Sequence, residues 1–149
     1  MGKMSDKARW RAYLDSNFFI RFVESEDERL APLFAHLEAG LLTLHTSELT
    51  LAELLVGPLR TANADLSERY EDIIGASDWL QASPVSREIL KRSAEIRATI
   101  GNKQPDANHV ATAMAEACNV FVSSDKRLKM PETMKRIGLD EVAIEEVWP

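Results

Sequence analysis

Trp10-Arg11-Ala12-Tyr13-Leu14-Asp15-Ser16-Asn17 decides how this chain is read. A short, mostly apolar run predicts a buried strand over 10–14, ended by an acid, a hydroxyl and an amide. The same order recurs at Val120-Phe121-Val122-Ser123-Ser124-Asp125, where a strand again runs into an acid. Working outward, helical and extended stretches alternate. Residues 29–38 place Leu30, Leu33, Phe34 and Leu37 on one helical face and stop at Gly40. Residues 41–45 predict a second strand. Ser47 or Thr50 then caps a helix bearing Leu51, Leu54 and Leu55, with Gly57-Pro58 ending it.

Further helices are expected over 66–76 and from Ser86 to Gly101, where Ile89, Ser93, Ile96 and Ile100 stack on one side. Pro105 opens another, whose stripe of Ala107, Val110, Ala111, Met114, Ala115 and Cys118 lets a helix lie close to a sheet. Residues 79–85 read as extended, Pro131 as the start of a short helix, and 141–148 as a final strand. Strands alternating with helices give an α/β fold with a mostly parallel sheet covered on both faces. In such sheets ligands sit beyond the carboxyl ends of the strands.

The 149 residues, 45% of them hydrophobic with 6 Gly and 6 Pro, suit one ordered domain over 1–149. Residues 1–8 are set aside as a polar lead, disordered or vector-derived. One cysteine, Cys118, excludes an internal disulfide framework and a Cys-rich metal site. No apolar run is long enough to cross a bilayer and the first residues lack the apolar stretch of a signal peptide, so no membrane and a cytoplasmic location are expected. The net charge of −6 has the wrong sign for polyanion binding through the overall field. It is unevenly spread. Residues 24–78 carry 12 acids against 3 bases, whereas 79–103 carry 5 bases against 2 acids and 126–136 carry 5 against 1. Any nucleic acid would be held by these local basic segments.

Acids stand where the fold would place a site. Asp15 follows the first strand and Asp125 the Val120–Ser123 stretch, while Glu53 and Asp106 lie early in helices. Each has a modest alternative reading. Asp15 can cap the next helix. Thr50 and Glu53 have capping-box spacing. Asp106 can meet the positive end of a helix dipole, worth about 0.3–1 kcal/mol, and Asp125 can be a turn residue. Brought to one edge, however, four carboxylates repel unless a cation compensates. Magnesium or manganese suits such oxygen donors and can promote attack on a phosphodiester.

The words around these acids carry a resemblance. Tyr13-Leu14-Asp15-Ser16-Asn17, Thr50-Leu51-Ala52-Glu53-Leu54, Asp106-Ala107-Asn108-His109-Val110-Ala111-Thr112-Ala113-Met114-Ala115 and Val120-Phe121-Val122-Ser123-Ser124-Asp125-Lys126-Arg127-Leu128 resemble, in order, the four motifs of the PIN-domain family. The resemblance implies a three-layer α/β/α fold around a five-stranded parallel sheet. It implies a ribonuclease dependent on Mg2+ or Mn2+, of the VapC toxin type, with an RNA substrate, a small antitoxin partner and a homodimer. Asp15, Glu53, Asp106 and Asp125 would form the acidic cluster, with Asp15, Asp106 and Asp125 on the metal. Asn17 and Ser123 would orient it. From their charge, Lys126, Arg127 and Lys129 read either as contacts to RNA phosphates or as a solvated surface run.

His109 follows Asp106 by one helical turn and reads as a packing or supporting residue, since His36 and His45 offer no zinc spacing. Lys91, Arg92 and Arg97 make a second basic track. Phe18, Phe19 and Phe22 suit a core or a partner-binding face. A haloacid-dehalogenase-like phosphatase is disfavoured because Asn17 stands where its second acid is needed, and an amide cannot protonate a leaving group. A receiver domain lacks its acidic pair. The alternative function is a PIN-like module that binds RNA or protein with weak or no catalysis.

Overall fold

A computed structural model describes residues 8–143 and 145–149. Of the polar lead at 1–8, all but Ala8 lies outside the described residues. The chain begins with β1 (Trp10–Leu14) and α1 (Ser16–Glu24). A 3-10 turn (Glu28–Leu30) leads into α2 (Ala31–Glu38), followed by β2 (Leu42–Ser47), α3 (Glu48–Arg60) and α4 (Ala64–Ala76). Next come β3 (Leu80–Ser83), α5 (Arg87–Thr99), α6 (Gln104–Ala115), β4 (Val120–Val122) and β5 (Lys135–Ile137). The sheet order is β3-β2-β1-β4-β5, and every pairing is parallel.

Alternation along the strands builds the layers. Ala12, Leu14, Leu42, Leu44, Val120 and Val122 face one way and share a core with Phe18 and Phe19 of α1, Leu33 of α2, Leu54 of α3 and Tyr70 and Ile74 of α4. Tyr13 and Phe121 face the other way, onto Ile89 and Ile96 of α5 and Ala107, Val110 and Ala111 of α6. The result is the expected three-layer α/β/α fold. No helix among the described residues is long and apolar enough to cross a membrane.

Caps explain the helix starts. Asp15, Ser47, Asn63 and Ser86 each accept a hydrogen bond from a backbone N–H in the first turn of the helix they precede. The helix that Asp15 was expected to cap is α1, which carries Phe18 and Phe22. Three expectations need correction. Gly57-Pro58 does not end α3, which continues to Arg60. Proline this late removes one ladder bond, and its ring is buried in compensation. Pro131 starts only a single turn, with Met134 N–H bonded to Pro131 C=O at 3.1 Å, before β5 begins. Finally, 141–148 holds no strand among its described residues. The 3-10 turns Leu139–Glu141 and Glu145–Val147 bring Trp148 onto Trp10, ring centroids 4.8 Å apart. The fifth strand is therefore Lys135–Ile137.

The crossover from β1 to β2 covers one face and that from β3 to β4 the other. The chain thus diverges between β1 and β4, leaving a crevice at their carboxyl ends. Asp15 and Asp125 stand there.

Candidate active site

Asp15 caps α1: its carboxylate accepts from Phe18 N–H at 3.2 Å. The neighbouring Ser123 hydroxyl also favours its ionised form. Burial nevertheless raises its pKa above the ordinary aspartate range, against the pull of those two groups. Ser123, fully buried just past β4, accepts from Asp125 N–H at 3.1 Å and so stands between the two strand-end acids. Asn17 is exposed at the same rim.

Glu53 is not part of a capping box. Ser47 holds the cap position and accepts from Leu49 N–H at 3.0 Å. Thr50 instead is buried, its Oγ1 2.8 Å from that of Thr46. Glu53 is left free to receive a hydrogen bond from His109 Nε2 at 2.8 Å. Asp106 occupies the first turn of α6, where the helix dipole favours its charge. Burial and then the charge of Asp125 still push its pKa up. Asp125 goes the opposite way. Arg127 donates to its Oδ1 through the backbone N–H at 3.0 Å and through Nε at 3.2 Å, which lowers its pKa.

All four carboxylates line one pocket of about 120 Å³, together with Ser16, Asn17, His109, Phe121, Ser123 and Leu128. Among the described residues no three His, Cys, Asp or Glu side chains converge as a ready-made metal cage. The donor chemistry still suits a hard cation. Two aspartates strained toward protonation share a pocket, and magnesium uses one or two carboxylates while keeping several waters. A second cleft, about 340 Å³, adjoins the first. It is lined by Arg97, Gly101, Asn102, Lys103 and Arg127, and it shares Asp106 and Asp125 with the acidic pocket.

The structure thus brings Arg97 of the second basic track to the site along with Arg127, while Lys126 is exposed and lines neither cleft. Sequence reading missed Lys103 and Tyr13. Lys103 joins the cleft because α5 and α6 pack side by side, a contact invisible in spacing. Tyr13 was signalled by strand alternation, which sets it on the same side as Asp15.

The chain matches the PIN-domain model over residues 12–132. It belongs to the PIN-domain family. Solved structures agree on the PIN fold. VapBC2 from Rickettsia felis, bound to a promoter DNA fragment, superposes with a TM-score of 0.66 at 17% identity, covering 86% of this chain and 98% of that one. VapBC from Salmonella typhimurium, also DNA-bound, gives 0.65 at 18% identity, covering 87% and 98%. VapC20 of Mycobacterium tuberculosis, a sarcin-ricin loop cleaving toxin, gives 0.62 at 14% identity, covering 78% and 92%. A search of curated proteins by sequence finds no match.

The raised pKa values of this PIN domain have a consequence for stability. An acid whose folded pKa exceeds its unfolded one binds its proton more tightly in the folded state. Stability is therefore highest below the ordinary aspartate pKa and falls as pH rises through the raised one. Asp15→Asn keeps a capping side chain but removes the buried charge. Melts in EDTA between pH 4 and 8 should show Asp15→Asn gaining on the parent as pH rises. A constant difference across that range would contradict the assignment.

Proposed function

We propose that this PIN-domain protein is a ribonuclease dependent on Mg2+ or Mn2+ and the toxin of a toxin–antitoxin pair. The observation that carries the reading is the paired site: a pocket lined by Asp15, Glu53, Asp106 and Asp125, opening beside a cleft lined by Arg97, Lys103 and Arg127. Asp15 and Asp106 would hold the ion. Asp125 would join them once Arg127 turns from it to a phosphate. When bound, the ion supplies positive charge for the phosphate under attack and acidifies water.

The chain's own groups do the rest. Arg97, Lys103 and Arg127 hold backbone phosphates in the cleft. Ser123 keeps Asp15 and Asp125 in register, and Asn17 orients groups at the rim. Glu53 accepts a proton from the attacking water. Water oxygen bonds to phosphorus, the P–O3′ bond breaks, and the 3′ oxygen takes a proton, leaving a 5′-phosphate and a 3′-hydroxyl.

Similarity to VapBC structures and to a toxin–antitoxin complex from Klebsiella pneumoniae supports a small antitoxin partner. Phe18 is fully buried and cannot present a docking face. The partner's place is better sought at the groove of about 460 Å³ lined by Phe22, Ala31, Phe34 and Arg69. A homodimer is part of the same proposal, supported by Val56 and Leu59, which lie exposed on α3.

Incubating the purified protein with a mixed RNA pool in magnesium, manganese or EDTA tests the function. Cleavage confined to the metal-containing samples is expected. RNA or protein binding without cleavage would favour the binding module. The cleft carries its own prediction: Arg97→Gln with Lys103→Gln should raise KM about 10-fold and reduce the salt slope of RNA binding by about 1.4, at roughly 0.7 per neutralised phosphate on a single strand. An unchanged slope would remove these residues from the RNA path.

A further inference from the structure

Behind Glu53 a line of hydrogen bonds leads away from solvent. Glu53 Oε1 meets His109 Nε2 at 2.8 Å, and His109 Nδ1 meets the Tyr13 hydroxyl at 2.5 Å. Thr46 and Thr50, their Oγ1 atoms 2.8 Å apart, are buried beside Tyr13. Thr46 also donates to Leu14 C=O of β1 at 2.8 Å. Tyr13 is 0% and His109 5% exposed. Tyr13 stacks on Phe121 with centroids 4.9 Å apart and meets His109 edge-on at 5.7 Å.

Packing alone does not call for this. A phenylalanine at 13 and an apolar residue at 109 would fill the layer between sheet and α6 without buried polar atoms to satisfy. Proton direction is set by the outer end. A carboxylate only accepts, so Nε2 carries the proton; a neutral imidazole then presents a lone pair at Nδ1, which the tyrosine hydroxyl fills. We infer that Tyr13 and His109 are positioning residues. Tyr13 fixes the His109 tautomer with its Nε2–H toward the pocket, and that N–H fixes the Glu53 carboxylate at the acidic site. The inference rests on the nuclease reading for its kinetic effect but not for its hydrogen bonding. It accounts for a tyrosine and a histidine that the four acids alone do not require.

The experiment is nitrogen-15 NMR of the histidine rings in the full chain at pH 7.5, with RNA cleavage measured on the same samples. The expected spectrum has His109 Nε2 protonated and Nδ1 bare. Tyr13→Phe, which keeps the ring and its volume, should mix the two tautomers and lower kcat about 10-fold, with KM within about 2-fold. In a Glu53→Gln background the same substitution should cost nothing further. A parent spectrum showing Nδ1–H, or both nitrogens protonated, overturns the inference even if Tyr13→Phe fails to fold. An unchanged spectrum and kcat in Tyr13→Phe overturn it too. A protein that cleaves no RNA overturns the nuclease reading instead, and the spectrum then decides the hydrogen-bonded line by itself.

Discussion

Asp106→Asn is expected to lower RNA cleavage by about 10³-fold or more while leaving the fold in place. Asp106 lines both the acidic pocket and the basic cleft, so it sits where a phosphate held by Arg97 and Lys103 would meet the proposed cation. Asparagine keeps the shape and removes the charge. In the folded protein that charge is disfavoured by burial and by Asp125, which offsets the favourable dipole term of about 0.3–1 kcal/mol. The thermal midpoint should therefore move little. Cleavage rates and melts on the same preparation check both parts. A variant that cleaves at the parental rate would remove Asp106 from the chemistry.

Phe18→Ala should be the costliest of the core changes near the site, at about 3–5 kcal/mol. Phe18 is 0% exposed and packs against Phe19, Phe22 and Phe34 at centroid separations of 5.3, 6.0 and 6.3 Å. At about 2–4 °C per kcal/mol for a domain of this size, the midpoint should fall by roughly 10 °C. The consequence reaches the site, because the Phe18 N–H donates to Asp15. Calorimetry on parent and variant measures the shift. A fall of only a degree or two would show that neighbouring side chains refill the space.

Much of the fold was legible because its signals are local. Apolar runs ending in acids marked β1 and β4, and Ser47 and Ser86 marked their helices. The tail was not legible, for a physical reason. β5 has only Lys135, Arg136 and Ile137, and a basic edge strand of that length carries almost no alternation to read. Residues 141–148 look strand-like through Val142, Val147 and Trp148. Those side chains are apolar because they cover the Trp10 end of the core from short turns.

The candidate site divides along the same line. Asp15 and Asp125 could be placed at the carboxyl edge because each follows a strand, and Glu53 and Asp106 because each stands early in a helix; in the structure all four line one pocket. Their pairings could not be read. Thr50 and Glu53 have the spacing of a capping box, yet Ser47 takes the cap and leaves Glu53 to a histidine 56 positions away. Arg127 and Lys126 are neighbours in sequence, but only Arg127 lines the cleft. The turn after β4 commits it to Asp125, and that choice lies in three dimensions.

The most direct test of the proposed chemistry is to identify the ends left on cleaved RNA, with magnesium and with EDTA, for the parent and for Asp15→Ala combined with Asp106→Ala. Attack by water at a cation-assisted carboxylate site predicts 5′-phosphate and 3′-hydroxyl ends, formed by the parent only when the divalent ion is present and not formed by the double variant. Cleavage that survives EDTA or the double substitution, or that leaves 2′,3′-cyclic phosphates through attack by the RNA's own 2′-hydroxyl, would contradict it.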